Sequence, residues 1–295
     1  MTDNHNAISL SHRTIVPPGK KIDLQDYDPA DTGKFESKES AQVKLAAGIL
    51  QLAEYQNILY AQNKFAFLII FQAMDAAGKD STIKHVMSGI NPQGCQVFSF
   101  TSPSTEELDH DYLWRIHKSV PERGRIGIFN RSYYEEALIV RVHPELLAAQ
   151  SLPHLDLKQI WPQRFQEIND FERYLTNNGT VIIKFFLHVS KQEQKRRFLN
   201  RINAPEKHWK FSAQDIQERA YWDDYQAAYT DIFNHTSTAV APWYIIPADR
   251  KWFTRLTVAD IICDRLQQMD LAYPKISDEQ RSQLAIAKKA LEQED

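Results

Sequence analysis

Apolar residues along this chain fall into short unbroken runs and longer stretches spaced three and four apart. The clearest run is Phe65-Ala-Phe-Leu-Ile-Ile-Phe71, and others follow at 96–100, 125–129, 181–187 and 243–246. Short continuous runs predict strands buried on both faces. Helical spacing follows the first run as far as about Ser88, stopping at Gly89, and recurs near 104–118, 132–140, 157–176, 190–202 and 212–233. A last helix is expected at about 251–271, where Trp252, Leu256, Ala259, Cys263 and Leu266 share a face. Ahead of the first strand, Val43, Ala46, Ala47, Leu50 and Ala53 predict one apolar stripe on a helix from Ser37 to about Gln62. Strands alternating with helices imply right-handed crossovers and a parallel sheet with helices on both faces. Residues 1–36 read as an irregular arm, 37–272 as one domain, and the polar, helix-prone tail 273–295 as peripheral.

Between the first strand and its helix lies Phe71-Gln-Ala-Met-Asp-Ala-Ala-Gly-Lys-Asp-Ser81. A buried strand, a tight turn ending in Gly-Lys and a helix form the layout of a phosphate cradle. Backbone amides and the helix N-terminus face an anion there, and the lysine adds a mobile charge. The usual pattern of such loops is met in part. Ala73 stands in place of the first glycine, and Asp80 occupies the Ser/Thr position with Ser81 one place late. On this segment alone, a strand-to-helix turn with Asp75 as a cap and Lys79 in solvent reads the same way. Five strands with the loop after the first is a P-loop kinase layout: a three-layer αβα sandwich on a five-stranded parallel sheet.

A second strand ends in Asn130-Arg131, followed by Glu135 and Glu136. Ligands gather at the carboxyl ends of strands in α/β sheets, so Asn130 and Arg131 are expected to meet Asp75 and Lys79. Phosphoryl transfer needs cations around the moving group and oxygen ligands for a metal. Arg131 suits the first role, and Asp75 and Glu135 the second; a surface ion pair between Arg131 and Glu135 is the plainer alternative. From Lys184 to Lys210 eight basic residues stand against Glu193 and Glu206. A lid over phosphates, spanning about 190–233, would use them, as would an ordinary solvated helix face.

Composition narrows the classes. A chain of 295 residues with 43% hydrophobic and 25% charged residues is ordinary globular material, long enough for a substantial core. Its net charge of -3 argues against coating nucleic acid, and no apolar run approaches the ~20 residues that span a bilayer. The start, Met1-Thr-Asp-Asn-His-Asn6, lacks the basic and apolar regions of a signal peptide. Cys95 and Cys263, each within an apolar pattern, read as free buried thiols. A cytoplasmic protein with no membrane or nucleic-acid partner is expected.

Met74-Asp-Ala-Ala-Gly-Lys-Asp-Ser81, Asn91-Pro-Gln-Gly-Cys95, Pro121-Glu-Arg-Gly-Arg125, Phe129-Asn-Arg-Ser-Tyr-Tyr134 and Glu206-Lys-His-Trp-Lys-Phe211 occur in that order. Together they resemble the second family of polyphosphate kinases over roughly residues 20–270. The resemblance implies a thymidylate-kinase-like core with a helical lid. It also implies Mg²⁺-dependent (or Mn²⁺-dependent), reversible transfer of a terminal phosphate between inorganic polyphosphate and a nucleotide. Asp75, Lys79, Arg131 and Glu135 are then the expected catalytic residues, with Asp75 and Glu135 also on the metal. Phosphate or nucleotide contacts are expected from Ala76, Ala77, Gly78, Lys79, Asp80, Ser81, Asn91, Arg123, Asn130, Lys195, Arg196 and Arg197. The family often carries Asp where this chain has Asn130. An acid at Glu135 resembles the subgroup that accepts both nucleoside mono- and diphosphates. The loop Pro247-Ala-Asp-Arg-Lys251 is expected near the base, and a homodimer or homotetramer is expected. The rival readings are an ATP-dependent nucleoside monophosphate kinase and a non-catalytic nucleotide-sensing module.

Overall fold

The computed structural model describes residues 10–33, 35, 37–153 and 156–294. Its strands are β1 (Ala66–Gln72), β2 (Cys95–Ser99), β3 (Ile126–Asn130), β4 (Thr180–His188) and β5 (Trp243–Pro247), each overlapping a run read from the sequence. They form one parallel sheet in the order β2-β3-β1-β4-β5. β1 lies at the centre with every residue buried, which is why its sequence shows no alternation. Neighbours β3 and β4 flank β1 on opposite sides, so the sheet order reverses there and opens a crevice at the carboxyl ends.

The helices in chain order are α1 (Leu10–Thr14), α2 (Lys38–Gln62), α3 (Lys79–Val86), α4 (Thr105–Leu108), α5 (Trp114–His117), α6 (Ile139–Val142) and α7 (Ile160–Asn177). They continue with α8 (Lys191–Ile202), α9 (Ala213–Glu218), α10 (Trp222–Thr236), α11 (Lys251–Gln267) and α12 (Asp278–Leu291). The stretches 104–118 and 132–140 hold only short helices and a 3-10 turn, Tyr133–Ala137. Packing on the sheet is strongly aromatic: Phe233 contacts both Phe186 and Trp243 at ring separations of 5.2 and 5.4 Å.

Three sequence readings need correction. In α2 the expected stripe is the wrong face: Val43, Ala46, Ala47 and Leu50 are exposed, while Ala41, Leu52, Gln56 and Leu59 are buried. The helix carries small and apolar residues around much of its girth, and α11 selects the face where Gly48 permits close approach. There the Gly48 carbonyl receives the Cys263 thiol at 3.4 Å. The N-terminal segment is not wholly irregular. Residues 1–9, 34 and 36 lie outside the described residues, but α1 is helical and Val16 and Leu24 are buried in the core. The Val16 amide donates to the Trp243 carbonyl at 2.8 Å, fixing the segment to the edge strand β5. Finally, Lys184 belongs to no basic surface. It is fully buried on β4, and its ammonium donates to Glu172 (2.6 Å), the Thr236 carbonyl (2.8 Å) and the Tyr134 hydroxyl (2.9 Å). Of the cysteines, Cys263 is buried and Cys95 half-buried, and both are free.

Candidate active site

The loop after β1 forms a cradle at the centre of the carboxyl edge. Gly78 takes φ +110°, a conformation that side chains resist, and so turns the chain into α3. The first turn-to-turn bond of that helix runs from the Thr82 amide to the Gly78 carbonyl, so the preceding amides are free of helical partners, as anion cradles require. Ala76 is held at φ +60° and Arg131 at +65°, left-handed conformations that cost an L residue roughly 1–2 kcal/mol each. Surrounding contacts impose both. The Arg131 amide donates to the Phe71 carbonyl at 3.0 Å, and the Ala76 carbonyl accepts from Arg197 at 3.1 Å.

Lys79 folds back over the cradle and donates to the Ala73 carbonyl at 3.0 Å. Burial pulls its pKa below the usual lysine range, against the opposing pull of Asp75. Arg131 reaches Asp75 at 3.4 Å, and Asn130 donates to Asp80 at 2.9 Å, so the second strand end does meet the phosphate loop. Glu135 sits on the 3-10 turn just beyond; burial raises its pKa, although Arg131 and Lys79 pull the other way. Asp75, Arg131, Glu135 and Asp215 border one small cleft of about 70 Å³.

Two larger cavities meet at Arg131. One, of about 1000 Å³, runs from the loop along α8 to the 247–251 loop, and among its lining residues Lys and Arg outnumber Asp and Glu eleven to five. The chain as a whole has more acidic than basic residues, so the fold has concentrated positive charge here. The other, of about 620 Å³, is more apolar and runs from Phe100 past Tyr112, Leu113, Ile139 and Val140. Its polar wall is a closed network. Arg164 donates to Glu136 (3.1 Å) and Glu167 (2.9 Å), packs over the Tyr112 ring (4.4 Å), and Tyr112 donates to Glu167 (3.1 Å).

The remaining sequence candidates divide. Asp75, Ala76, Ala77, Gly78, Lys79, Asp80, Ser81, Asn130, Arg131, Arg196 and Arg197 all border the cationic groove. Glu135 borders the apolar cavity and the small cleft instead. Asn91 and Arg123 precede β2 and β3 and so lie at the opposite end of the sheet. There Asn91 caps a short turn, and Arg123 donates to the Asn178 carbonyl at 3.2 Å. Lys195 is exposed on α8 and does not line the groove. Arg197 does so only as a buried strut, donating to the Ala76 and Ala77 carbonyls of the loop and the Ala248 and Asp249 carbonyls beyond β5. Arg196 is exposed and tied twice to Glu193 at 2.6 Å. The 247–251 loop borders the cationic groove rather than the apolar cavity.

Sequence reasoning missed Lys38 and Arg255, which reach the groove from α2 and α11 with no local signal. It also left Arg201, Lys207 and Lys210 unassigned, although all three stand in the basic run it identified. Lys210 faces Asp80 across the groove at 3.8 Å.

Among the described residues, no group of three or more His, Cys, Asp and Glu side chains is placed to hold a metal by itself. A hard cation such as Mg²⁺ takes only one or two protein carboxylates and completes its shell with water and substrate phosphates. Asp75 and Glu135, two oxygen donors on one cleft, fit that mode. Also among the described residues, no helix is long and apolar enough to cross a membrane.

Known proteins share this chain's sequence and fold. The family model for polyphosphate kinase 2 (PPK2) matches residues 35–274. An ADP-polyphosphate phosphotransferase of Rhodopseudomonas palustris is 51% identical over 91% of this chain and 94% of its own length. An AMP/ADP-polyphosphate phosphotransferase of Meiothermus ruber is 43% identical over 88% and 94% respectively. The crystal structure of polyphosphate kinase 2 from Arthrobacter aurescens TC1 superposes with a TM-score of 0.86 at 39% identity, covering 97% of this chain and 100% of that one. By sequence and by fold, this chain belongs to the polyphosphate kinase 2 family.

Proposed function

We propose that this enzyme transfers the terminal phosphate of inorganic polyphosphate, reversibly, to both nucleoside monophosphates and diphosphates (AMP and ADP, GMP and GDP), with Mg²⁺ or Mn²⁺. The observation that carries the reading is the meeting of a cationic groove and an apolar cavity at Arg131. Polyphosphate is a flexible polyanion without bases. A groove rich in Lys and Arg meets its charge, and the apolar cavity suits a nucleoside. Relatives named as phosphotransferases of ADP and of AMP/ADP support both acceptor classes.

The reaction is in-line attack by an acceptor phosphate oxygen on the terminal phosphorus of the chain. The attacking oxygen is already anionic, so no strong general base is needed and catalysis is positioning plus charge neutralisation. Lys79 and the loop amides hold the donor end. Arg131, between the two cavities, neutralises the group in flight. Asp75 orients Arg131 at 3.4 Å and, with Glu135, would hold the metal. When bound, Mg²⁺ neutralises phosphate oxygens and templates their approach. Glu135 lies on the acceptor side, where it would help hold the metal when the acceptor is a monophosphate. The exposed Val43–Leu50 face of α2 supports self-association into a dimer or tetramer.

The test is purified protein with Mg²⁺ and long-chain polyphosphate, offered AMP, ADP, GMP and GDP separately, with products resolved by chromatography. ATP from both AMP and ADP is expected. ATP from ADP alone would restrict the acceptor range, and activity only with ATP as donor would replace this reading by a monophosphate kinase. Lys79→Ala should lower kcat roughly 10²–10³-fold, the scale of losing one preorganised charge contact, with an unchanged melting curve.

A further inference from the structure

The eleven basic side chains that border the cationic groove are not equivalent. On the lid side each is already met by a carboxylate. Glu193 pairs with Arg196 at 2.6 Å and Arg197 at 2.7 Å, Asp215 with Arg201 at 3.4 Å, and Glu206 with Lys207 at 3.7 Å. Asp80 faces Lys210 at 3.8 Å, and Asp75 holds Arg131 at 3.4 Å.

The other side differs. Lys38 on α2, and Arg250, Lys251 and Arg255 at the start of α11, border the same groove and form no ion pair among the described residues. No acid stands in the first turn of α11 to neutralise them. Of the five acids that border the groove, four are engaged in the pairs above, and Asp249 accepts from the Ser190 amide at 2.8 Å. Burial lowers the Lys251 pKa, and Arg197 and Arg255 push it the same way against Glu193. Like charges gathered without a counter-charge repel one another, and a bound polyanion relieves that repulsion.

These unpaired cations continue the phosphate cradle. Arg255 donates to the Ser81 hydroxyl, in the first turn of α3, at 2.8 Å. Lys251 stands one turn before Arg255 and therefore on the same face of α11. Lys38 joins them from α2, which packs along α11.

We propose that polyphosphate leaves the cradle along α11 rather than along the lid helix α8. Arg255, Lys251 and Lys38 form a distal subsite that holds phosphates well behind the transferred one. A donor too short to reach Lys251 and Lys38 gains nothing from them, so the subsite favours long chains. The inference rests on polyphosphate being the donor.

The test is calorimetric titration of the full chain, with Mg²⁺ and without nucleotide, by long-chain polyphosphate and by tripolyphosphate. Lys38→Gln and Lys251→Gln alter exposed positions, so the melting curve should be kept. Each should weaken long-chain binding about threefold and both together about tenfold, the scale of exposed charge contacts. The same pair should weaken tripolyphosphate binding less than about twofold. Arg196→Gln combined with Lys207→Gln, on the lid side, should weaken long-chain binding less than the Lys38 and Lys251 pair does. Equal loss for both donor lengths, no loss for either, or a larger loss in the lid-side variant would overturn the proposal. A parent chain that binds neither donor would overturn the catalytic reading itself, and this inference with it.

Discussion

Replacing Arg197 with lysine distinguishes a structural strut from a phosphate ligand. Its side chain is 6% exposed. The guanidinium donates through Nε to Glu193 (2.7 Å), through Nη1 to the Ala76 and Ala77 carbonyls (3.1 and 2.5 Å), and through Nη2 to the Ala248 and Asp249 carbonyls (2.5 and 3.3 Å). Lysine keeps the charge but cannot span both loops, because an ammonium is a point donor and the guanidinium a planar fork. At least two charged hydrogen bonds are lost, each worth about 1.5–3 kcal/mol, so the variant should be about 3–5 kcal/mol less stable. At roughly 2–4 °C per kcal/mol for domains somewhat shorter than this chain, Tm should fall by about 6–20 °C. With the phosphate loop no longer anchored to the 248–249 turn, kcat should drop about ten- to a hundredfold through misplacement of the reacting groups. KM for polyphosphate should change little. Calorimetry and steady-state kinetics with polyphosphate and ADP measure both quantities. An unchanged Tm, an intact kcat and a raised KM for polyphosphate would refute the strut and make Arg197 a phosphate ligand.

The other predictions follow from the same geometry. Glu135→Asn should retain ADP phosphorylation and lose most AMP phosphorylation; equal loss for both acceptors in separate assays would remove its acceptor role. Because burial holds the Glu135 pKa above the usual carboxylate range, the carboxylate is lost on acidification at a higher pH than for an ordinary glutamate. A pH–rate profile should therefore fall earlier on its acid side with AMP than with ADP, and coincident profiles would contradict this. Glu172→Gln leaves the Lys184 ammonium buried beside a neutral partner and should cost about 3–5 kcal/mol in denaturant unfolding. Burial already lowers the Lys184 pKa, so the unfolded chain binds more protons than the folded one just below the ordinary lysine range. The deficit of the variant should therefore shrink as pH rises, and a pH-independent deficit would count against a charged Lys184.

How much was legible depended on the range of the interaction. The Phe65–Phe71 run and the Asp75–Ser81 turn are local, and both stand where their pattern placed them. The meeting of Asn130 and Arg131 with the loop followed from a topological rule, since strand ends of a parallel sheet share one edge. The α2 stripe failed because a helix with small residues on several faces offers more than one packing surface, and the choice belongs to α11. Lys184 was misread because a charge count cannot separate a buried ion pair from a solvated face. Arg123 failed because it precedes its strand and therefore sits at the wrong end of the sheet.

Sequence alone thus determined the strands, the phosphate turn with its lysine and the family motifs, because these depend on neighbouring residues and on backbone geometry. Only the tertiary structure decided which cations share one groove: Lys38 and Arg255 join Lys79 from helices far away in the chain. It also decided that Arg197 braces two loops, and that Arg131 stands where the cationic groove and the apolar cavity meet. Those arrangements depend on side chains meeting across the crevice, and no local pattern encodes a partner a hundred residues distant.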